Sequence, residues 1–283
     1  MNQPISRRLR AITLAAALLL PAVALAAERV ITLAPHLAEL VCAAGGCESL
    51  VAVGAYSDYP PEVRRLPQVG DVAQLNLEAV LALQPTRIIA WQGGTPAAQM
   101  ARLTAIKLPV TSLRIDQLDD VATALIELGT VLGTGEVAAV AAQRYRQQLQ
   151  ALRAAHVEAR PLRVLYQIET APVYSINRQS PISEAITLCG GVNVFADLPT
   201  LAAPVSDEAV LAAQPQLVVH GPGDTAAVTA YWARFAKAAR VRPQLVAIDP
   251  DLLARSGPRL VQGVQQLCDA LDGLRQQTPS PAG

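Results

Sequence analysis

A pattern of fifteen residues occurs twice, which limits the chain to folds that use one helix-and-strand unit in two places. Residues 76–90 read NLEAVLALQPTRIIA, and residues 206–220 read SDEAVLAAQPQLVVH. Each copy opens on a helix N-cap (Asn76, Ser206), whose side chain accepts from an otherwise unpaired amide. Each then sets a carboxylate in the first turn (Glu78, Glu208) and runs a short apolar helix into a proline (Pro85, Pro215). The proline lacks an N–H and clashes with the preceding turn, so the helix stops, and the β-branched run beyond it reads as a buried strand. Two copies this far apart point to two similar α/β lobes, because a solenoid needs short periods and several repeats.

The first 27 residues stand apart from the fold. Arg7, Arg8 and Arg10 precede an apolar run, and Ala24-Leu25-Ala26 supplies a small-x-small cleavage site, the signature of a secretory signal peptide. No cysteine follows the run to carry a lipid, and no later stretch has the length of a membrane span. The expectation is an exported, unanchored, monomeric protein of the periplasm. Lysine plus arginine balance aspartate plus glutamate at 23 each, with no basic block, so nucleic acid is not an expected partner. Aromatic residues make up only 4%, which gives the few present more weight.

The order of patterns is strand, helix, strand, helix through each half. A segment from Thr134 to Ala159 breaks this rhythm, with Val137, Ala141, Tyr145, Leu149 and Leu152 three or four apart in polar surroundings until Pro161. It reads as one helix about 38 Å long, a strut between halves. The chain therefore divides into a signal peptide at 1–27, an N-terminal α/β lobe at 28–133, a connecting helix at 134–160, a C-terminal α/β lobe at 161–276 and a disordered tail at 277–283. Strand–helix alternation predicts mostly parallel sheets flanked by helices, with a ligand cleft between the lobes at the strand C-termini. Four cysteines in an exported chain read as disulfides with three possible pairings. Cys42 with Cys47 and Cys189 with Cys268 keeps each bond within one half; the other two pairings tie the lobes together, and free thiols at Cys42 and Cys47 are a further alternative.

Several stretches together resemble a known family. They are RVITL at 29–33, YSDYPP at 56–61, IAWQGG at 89–94, LCGG at 188–191, RSGPR at 255–259 and QQLC at 265–268. The chain resembles the periplasmic cobalamin-binding proteins that feed ABC importers, within the wider class that binds cobalamin, haem and siderophores. The resemblance implies a corrinoid as transported ligand, no resident cofactor, and a partner made of a permease dimer with its ATPase subunits. It places ligand contacts on Tyr56, Trp91 and Tyr174 and on the segment Asp251, Leu252, Leu253, Ala254 and Arg255. A corrinoid offers a broad apolar face for aromatic rings and a rim of amides and a phosphate for Asp and Arg. The same resemblance turns Glu78 and Glu208 toward arginines on the two permease subunits.

The chain also departs from the family. Val72 and Ala202 stand where tryptophans are expected, and Leu252-Leu253 stand where an aromatic pair is expected. His36 follows the first strand where a small residue is expected, placing an imidazole to approach a bound cobalt or iron; no other metal site is expected. Haem or a ferric siderophore is the alternative cargo. A secreted enzyme is the alternative of another class, and it lacks a two-histidine metal motif, a Gly-x-Ser-x-Gly elbow and a Gly-rich phosphate loop.

Overall fold

The computed structural model describes residues 28–71, 73–235 and 242–277. The expected signal peptide, Val72 and residues 278–283 of the expected tail lie outside the described residues. In the first half, β1 (Val30–Thr32), β2 (Leu50–Ala52), β3 (Arg87–Trp91) and β4 (Val110–Leu113) form one parallel sheet ordered β2-β1-β3-β4. The second half contributes β5 (Leu162–Tyr166), β6 (Val173–Ile176), β7 (Gly191–Asn193), β8 (Ala202–Val205), β9 (Leu217–His220) and β10 (Gln244–Ala247). Four of these form a parallel sheet which, read from its β7 edge, runs β7-β5-β9-β10, the same relative order as in the first half.

The helices are α1 (Pro35–Ala43), α2 (Leu77–Ala82), α3 (Ala97–Ala105), α4 (Asp120–Leu132), α5 (Gly135–His156), α6 (Pro181–Leu188), α7 (Asp207–Ala213), α8 (Thr225–Arg234), α9 (Pro250–Leu253) and α10 (Leu260–Gln277). The two sequence copies form α2 with β3 and α7 with β9, at equivalent places in the two sheets. Their caps behave alike: the Asn76 side chain accepts from the Ala79 amide at 3.0 Å, and the Ser206 hydroxyl accepts from the Ala209 amide at 3.2 Å. The two C-termini are alike as well. Gln84 and Gln214 both adopt left-handed backbone, with φ of 46° and 45°, before the helix-stopping proline. Arginines at the start of each lobe then take up the free carbonyls, Arg29 on Leu83 at 2.7 Å and Arg163 on Gln214 at 2.8 Å. Such partners are what the last turn of a helix requires.

The connecting helix is shorter than its pattern suggested. α5 has 22 residues, about 33 Å, and ends at His156. It also does more than bridge. α4 and α5 form an antiparallel helical hairpin through Gly133, whose φ of 71° is the left-handed turn a glycine supplies at no steric cost. A side chain at Gly129 would bring its Cβ within 2.3 Å of the Ala138 Cβ, so glycine is needed for this close approach. Tyr145, Leu149 and Leu152 of α5 join a single core that also holds Leu37 and Leu125 from the first lobe and Val164, Ile186 and Val264 from the second. Smaller cores cover the outer face of each sheet, around Ile31, Ile88 and Leu103 in one and Leu165, Val218 and Trp232 in the other. The lobes thus share one continuous interior across α5.

Two features were not expected from the sequence pattern. β6 and β8 make a small antiparallel pair, with Tyr174 opposite Pro204, although β6 carries Tyr174 and Ser175 and β8 carries a proline. α10 continues through Gln277, so the expected tail boundary at 277 moves at least one residue toward the C-terminus. Both disulfides form within halves, Cys42–Cys47 and Cys189–Cys268.

Candidate functional site

The first sheet delivers its strand C-termini to one edge, and the site is built there. β1 runs into Leu33-Ala34-Pro35-His36, β2 into the loop that carries Ala55 and Tyr56, and β3 ends on Trp91. These residues, with Asp71 and Ala73, line one side of a cavity of about 420 Å³; Ala254, Arg255 and Ser256 from the second half line the other. Open parallel sheets bind ligands at this edge because the loops there converge.

Trp91 is fixed by the turn that follows it. Its amide donates to the Thr95 hydroxyl at 3.1 Å, and its carbonyl accepts from the Thr95 amide at 2.8 Å. The indole lies across the second glycine after it so closely that a Cβ at Gly94 would sit 1.8 Å from Trp91 Cε3. Gly94 is therefore a steric requirement of the indole's position, while Gly93, with nothing near its Cβ position, supplies the turn's φ of 94°. Tyr56 is placed by strained backbone, with a φ of 64°, and is 74% exposed. A tyrosine held in the left-handed region with an open ring suits a contact with something absent from the chain itself.

His36 meets the edge of Trp91, ring centroids 4.9 Å apart, and is 5% exposed. Burial, reinforced by the charge of Arg255, lowers its pKa to about 4, so the imidazole is neutral at pH 7. Its Nε2 has no hydrogen-bond partner and is shut off from solvent beside the indole.

Charged residues from both halves meet on the wall next to this cavity. Arg255 Nη1 donates to Asp58 Oδ1 at 2.6 Å, and its Nη2 lies 2.8 Å from Asp251 Oδ1. Arg259 holds Glu39 through two bonds, Nε to Oε2 at 2.9 Å and Nη2 to Oε1 at 2.8 Å. Its guanidinium also sits 4.0 Å from the centroid of the Tyr59 ring. The Glu39 bonds raise the Arg259 pKa further above its ordinary value. Burial alone would raise the Asp58 carboxyl, but the bond and charge from Arg255 outweigh it and hold Asp58 below the usual carboxylate range. Asp251 goes the other way: burial raises it, and repulsion from Asp58 and Asp249 adds to that against the attraction of Arg255. One guanidinium is shared between two carboxylates that do not benefit equally.

The structure brings His36, Tyr56, Trp91, Ala254 and Arg255 together at the cavity, with Asp251 attached through Arg255. It does not bring all the expected residues there. Leu253 is buried in the shared core and turns away from the cleft, because the short helix α9 needs an apolar anchor on the body. Leu252 is half-buried, and Tyr174 is half-buried on β6 and does not line this cavity. Ala202 is exposed on β8. Asp58, Glu39, Arg259, Ser256 and Asp71 are the residues sequence reasoning passed over. Glu39 had a usable signal: it is the one carboxylate in the apolar stretch PHLAELVCA, and a buried charge needs a partner. Glu78 and Glu208 are both exposed, each in the first turn of its helix. Glu208 is held below its ordinary pKa by its own backbone amide and then by the Ser206 hydroxyl.

Two parallel-sheet lobes, fused through a helix and facing each other across a cleft, define a bilobal solute-binding protein. A family model described as periplasmic binding protein matches residues 30–230, and the chain belongs to that family. It is 38% identical over 257 residues to the vitamin B12-binding protein of Pectobacterium carotovorum subsp. carotovorum (strain PC1), covering 87% of this chain and 89% of that one. It is 36% identical over 252 residues to the vitamin B12-binding protein of Vibrio cholerae serotype O1 (strain ATCC 39315), covering 89% and 91%. Among solved structures, the periplasmic vitamin B12 binding protein BtuF of Vibrio cholerae superposes with a TM-score of 0.82 at 36% identity, over 89% of this chain and 99% of that chain. The periplasmic heme-binding protein RhuT from Roseiflexus sp. RS-1 gives 0.77 at 25% identity, over 88% and 99%.

Proposed function

We propose that this protein captures cobalamin or a related corrinoid in the cleft and hands it to the permease dimer of an ABC importer in the periplasm. The observation that carries the reading is the cavity itself. It sets two aromatic side chains, Tyr56 and Trp91, against an Arg255–Asp251 rim in a chain whose relatives are named for vitamin B12. Flat apolar faces flanked by a polar rim match a corrinoid's broad face and amide-bearing edge.

Titration calorimetry with cobalamin tests the reading, and Trp91→Ala locates it. Loss of the indole is expected to weaken binding by about 1–3 kcal/mol, the scale of one well-buried aromatic contact. Unchanged affinity in that variant would take Trp91 out of the site. Haem is the second reading, favoured by the likeness to heme-binding structures and by Tyr56 and His36 beside one cavity. The visible spectrum of protein isolated with its ligand separates the two.

Glu78 and Glu208 are proposed as matching acidic knobs, one on each lobe, that orient the protein on a two-fold symmetric permease. Favourable placement at a helix N-terminus is the competing account, and the Ser206 and amide contacts of Glu208 show that it applies in part. In the double variant Glu78→Gln, Glu208→Gln, transporter-coupled uptake is expected to collapse while corrinoid affinity and thermal stability hold. Full uptake with a lowered melting temperature would return both residues to helix capping.

A further inference from the structure

The Arg255 guanidinium on the cavity's wall is already paired with carboxylates, and the charge that is left over is negative. Among the described residues that line the cavity, Arg255 is the one permanent cation, while Asp71 is an anion. Arg255 is 18% exposed and is engaged on both terminal nitrogens, by Asp58 at 2.6 Å and Asp251 at 2.8 Å, with the Tyr56 carbonyl 3.5 Å away. Behind it Arg259 is consumed by the bidentate bond to Glu39. His36 adds no charge at neutral pH, because burial keeps it unprotonated. Arg114, which follows β4 at the same sheet edge, is paired with Asp116 at 2.5 Å. Asp71 spends one oxygen on its own turn, accepting from the Ala73 and Gln74 amides at 2.8 Å each. Among the described residues, the wall therefore sets Asp58, Asp71 and Asp251 about the Arg255 guanidinium, with the Glu39 carboxylate behind it at 3.9 Å.

Two ligand classes of similar size and shape place opposite demands on such a wall. A haem brings two propionate carboxylates at one edge and needs free cations or amide donors to receive them. A corrinoid's ring edge brings primary amides, each of which donates two N–H bonds that a carboxylate oxygen can accept, and its one phosphate lies on the nucleotide loop, off that edge. Bringing a carboxylate beside Asp58 or Asp251 costs like-charge repulsion, and prising Arg255 loose to meet it strands two carboxylates. Specificity between similar partners commonly rests on such a repulsive element.

We infer that Asp58 and Asp251, by occupying Arg255, make this wall a selector against carboxylate-edged macrocycles and in favour of amide-edged ones. The inference rests on the corrinoid reading above and names the residues that separate its cargo from haem. Ligand charge can be changed without touching the protein, which gives a direct test. Titrations followed by visible difference spectra would compare cobalamin, haem and haem dimethyl ester in one co-solvent. The ester keeps the iron and the ring and removes only the propionate charges.

Wild-type protein is expected to bind the ester about tenfold or more tightly than haem. In the double variant Asp58→Asn, Asp251→Asn, the ratio is expected to fall toward one or invert, since Arg255 then loses both of its close carboxylates, keeps only Glu39 at 3.9 Å, and can receive a propionate. Equal affinity for haem and its ester in the wild type would overturn the inference, whether or not the variant folds. An unchanged ratio in a folded variant would overturn it too, by moving the selection elsewhere. Failure of cobalamin to bind while the ester still outcompetes haem would overturn the corrinoid reading and leave the charge selection supported.

Discussion

Arg259→Ala is expected to lower the free energy of unfolding by about 3–5 kcal/mol, a large part of the roughly 5–15 kcal/mol that holds a typical protein folded. The carboxylate it would abandon is 2% exposed, inside α1 and facing the shared core, where water cannot replace the lost partner. Both Glu39 oxygens are hydrogen-bonded by this guanidinium, at 2.9 and 2.8 Å, and removing it leaves only the Arg255 guanidinium, 3.9 Å from Oε1 and beyond hydrogen-bond reach. The cation–π contact with Tyr59 at 4.0 Å is lost as well. Urea denaturation of wild type and variant measures the difference. Asp58→Asn provides the contrast: its carboxylate is 45% exposed, and breaking an open ion pair of that kind costs about 0–1 kcal/mol. Replacing Glu39 and Arg259 together with methionine should restore most of the loss, because no buried charge then remains unpaired. A deficit below about 1 kcal/mol in Arg259→Ala would mean that water reaches Glu39 and that the pair does not pin the lobes together.

The second large effect lies at the Cys189–Cys268 bond. Its sequence separation of 79 residues makes it the longer of the two covalent loops, and chain-entropy arithmetic assigns it about 4.5 kcal/mol. It joins the end of α6 to the middle of α10, the helix that closes the second lobe. Arg275 supports the same junction, donating to the Cys189 carbonyl at 2.8 Å and the Gly190 carbonyl at 3.1 Å. Both sulfurs are fully buried in the shared core, so a Cys189→Ser, Cys268→Ser variant also buries two hydroxyls. The melting temperature of that variant should fall well below that of Cys42→Ser, Cys47→Ser, whose separation of 5 residues predicts about 2 kcal/mol. Equal losses from the two variants would contradict loop closure as the source of the stabilisation.

The amino-acid sequence alone determined the parts of this protein that follow from neighbours in the chain. The doubled pattern placed α2 with β3 and α7 with β9, because N-caps, apolar spacing and a stopping proline act over a few residues. The helix-to-strand alternation specified two parallel sheets, and the long amphipathic run specified α5. Trp91 and its glycines were legible for the same reason, as a side chain and the turn beneath it. What only the tertiary structure decided depends on residues far apart in sequence. Glu39 meets Arg259 across 220 positions, and Asp58 meets Arg255 across 197, and no local periodicity encodes such a meeting. The same holds for the antiparallel pairing of β6 with β8 and for the burial of Leu253, which reads in sequence like its cleft-side neighbours. A local signal records which face of an element is apolar. Which partner covers that face, and which charges are brought together when it is covered, is set when the two lobes close on α5 and share one core.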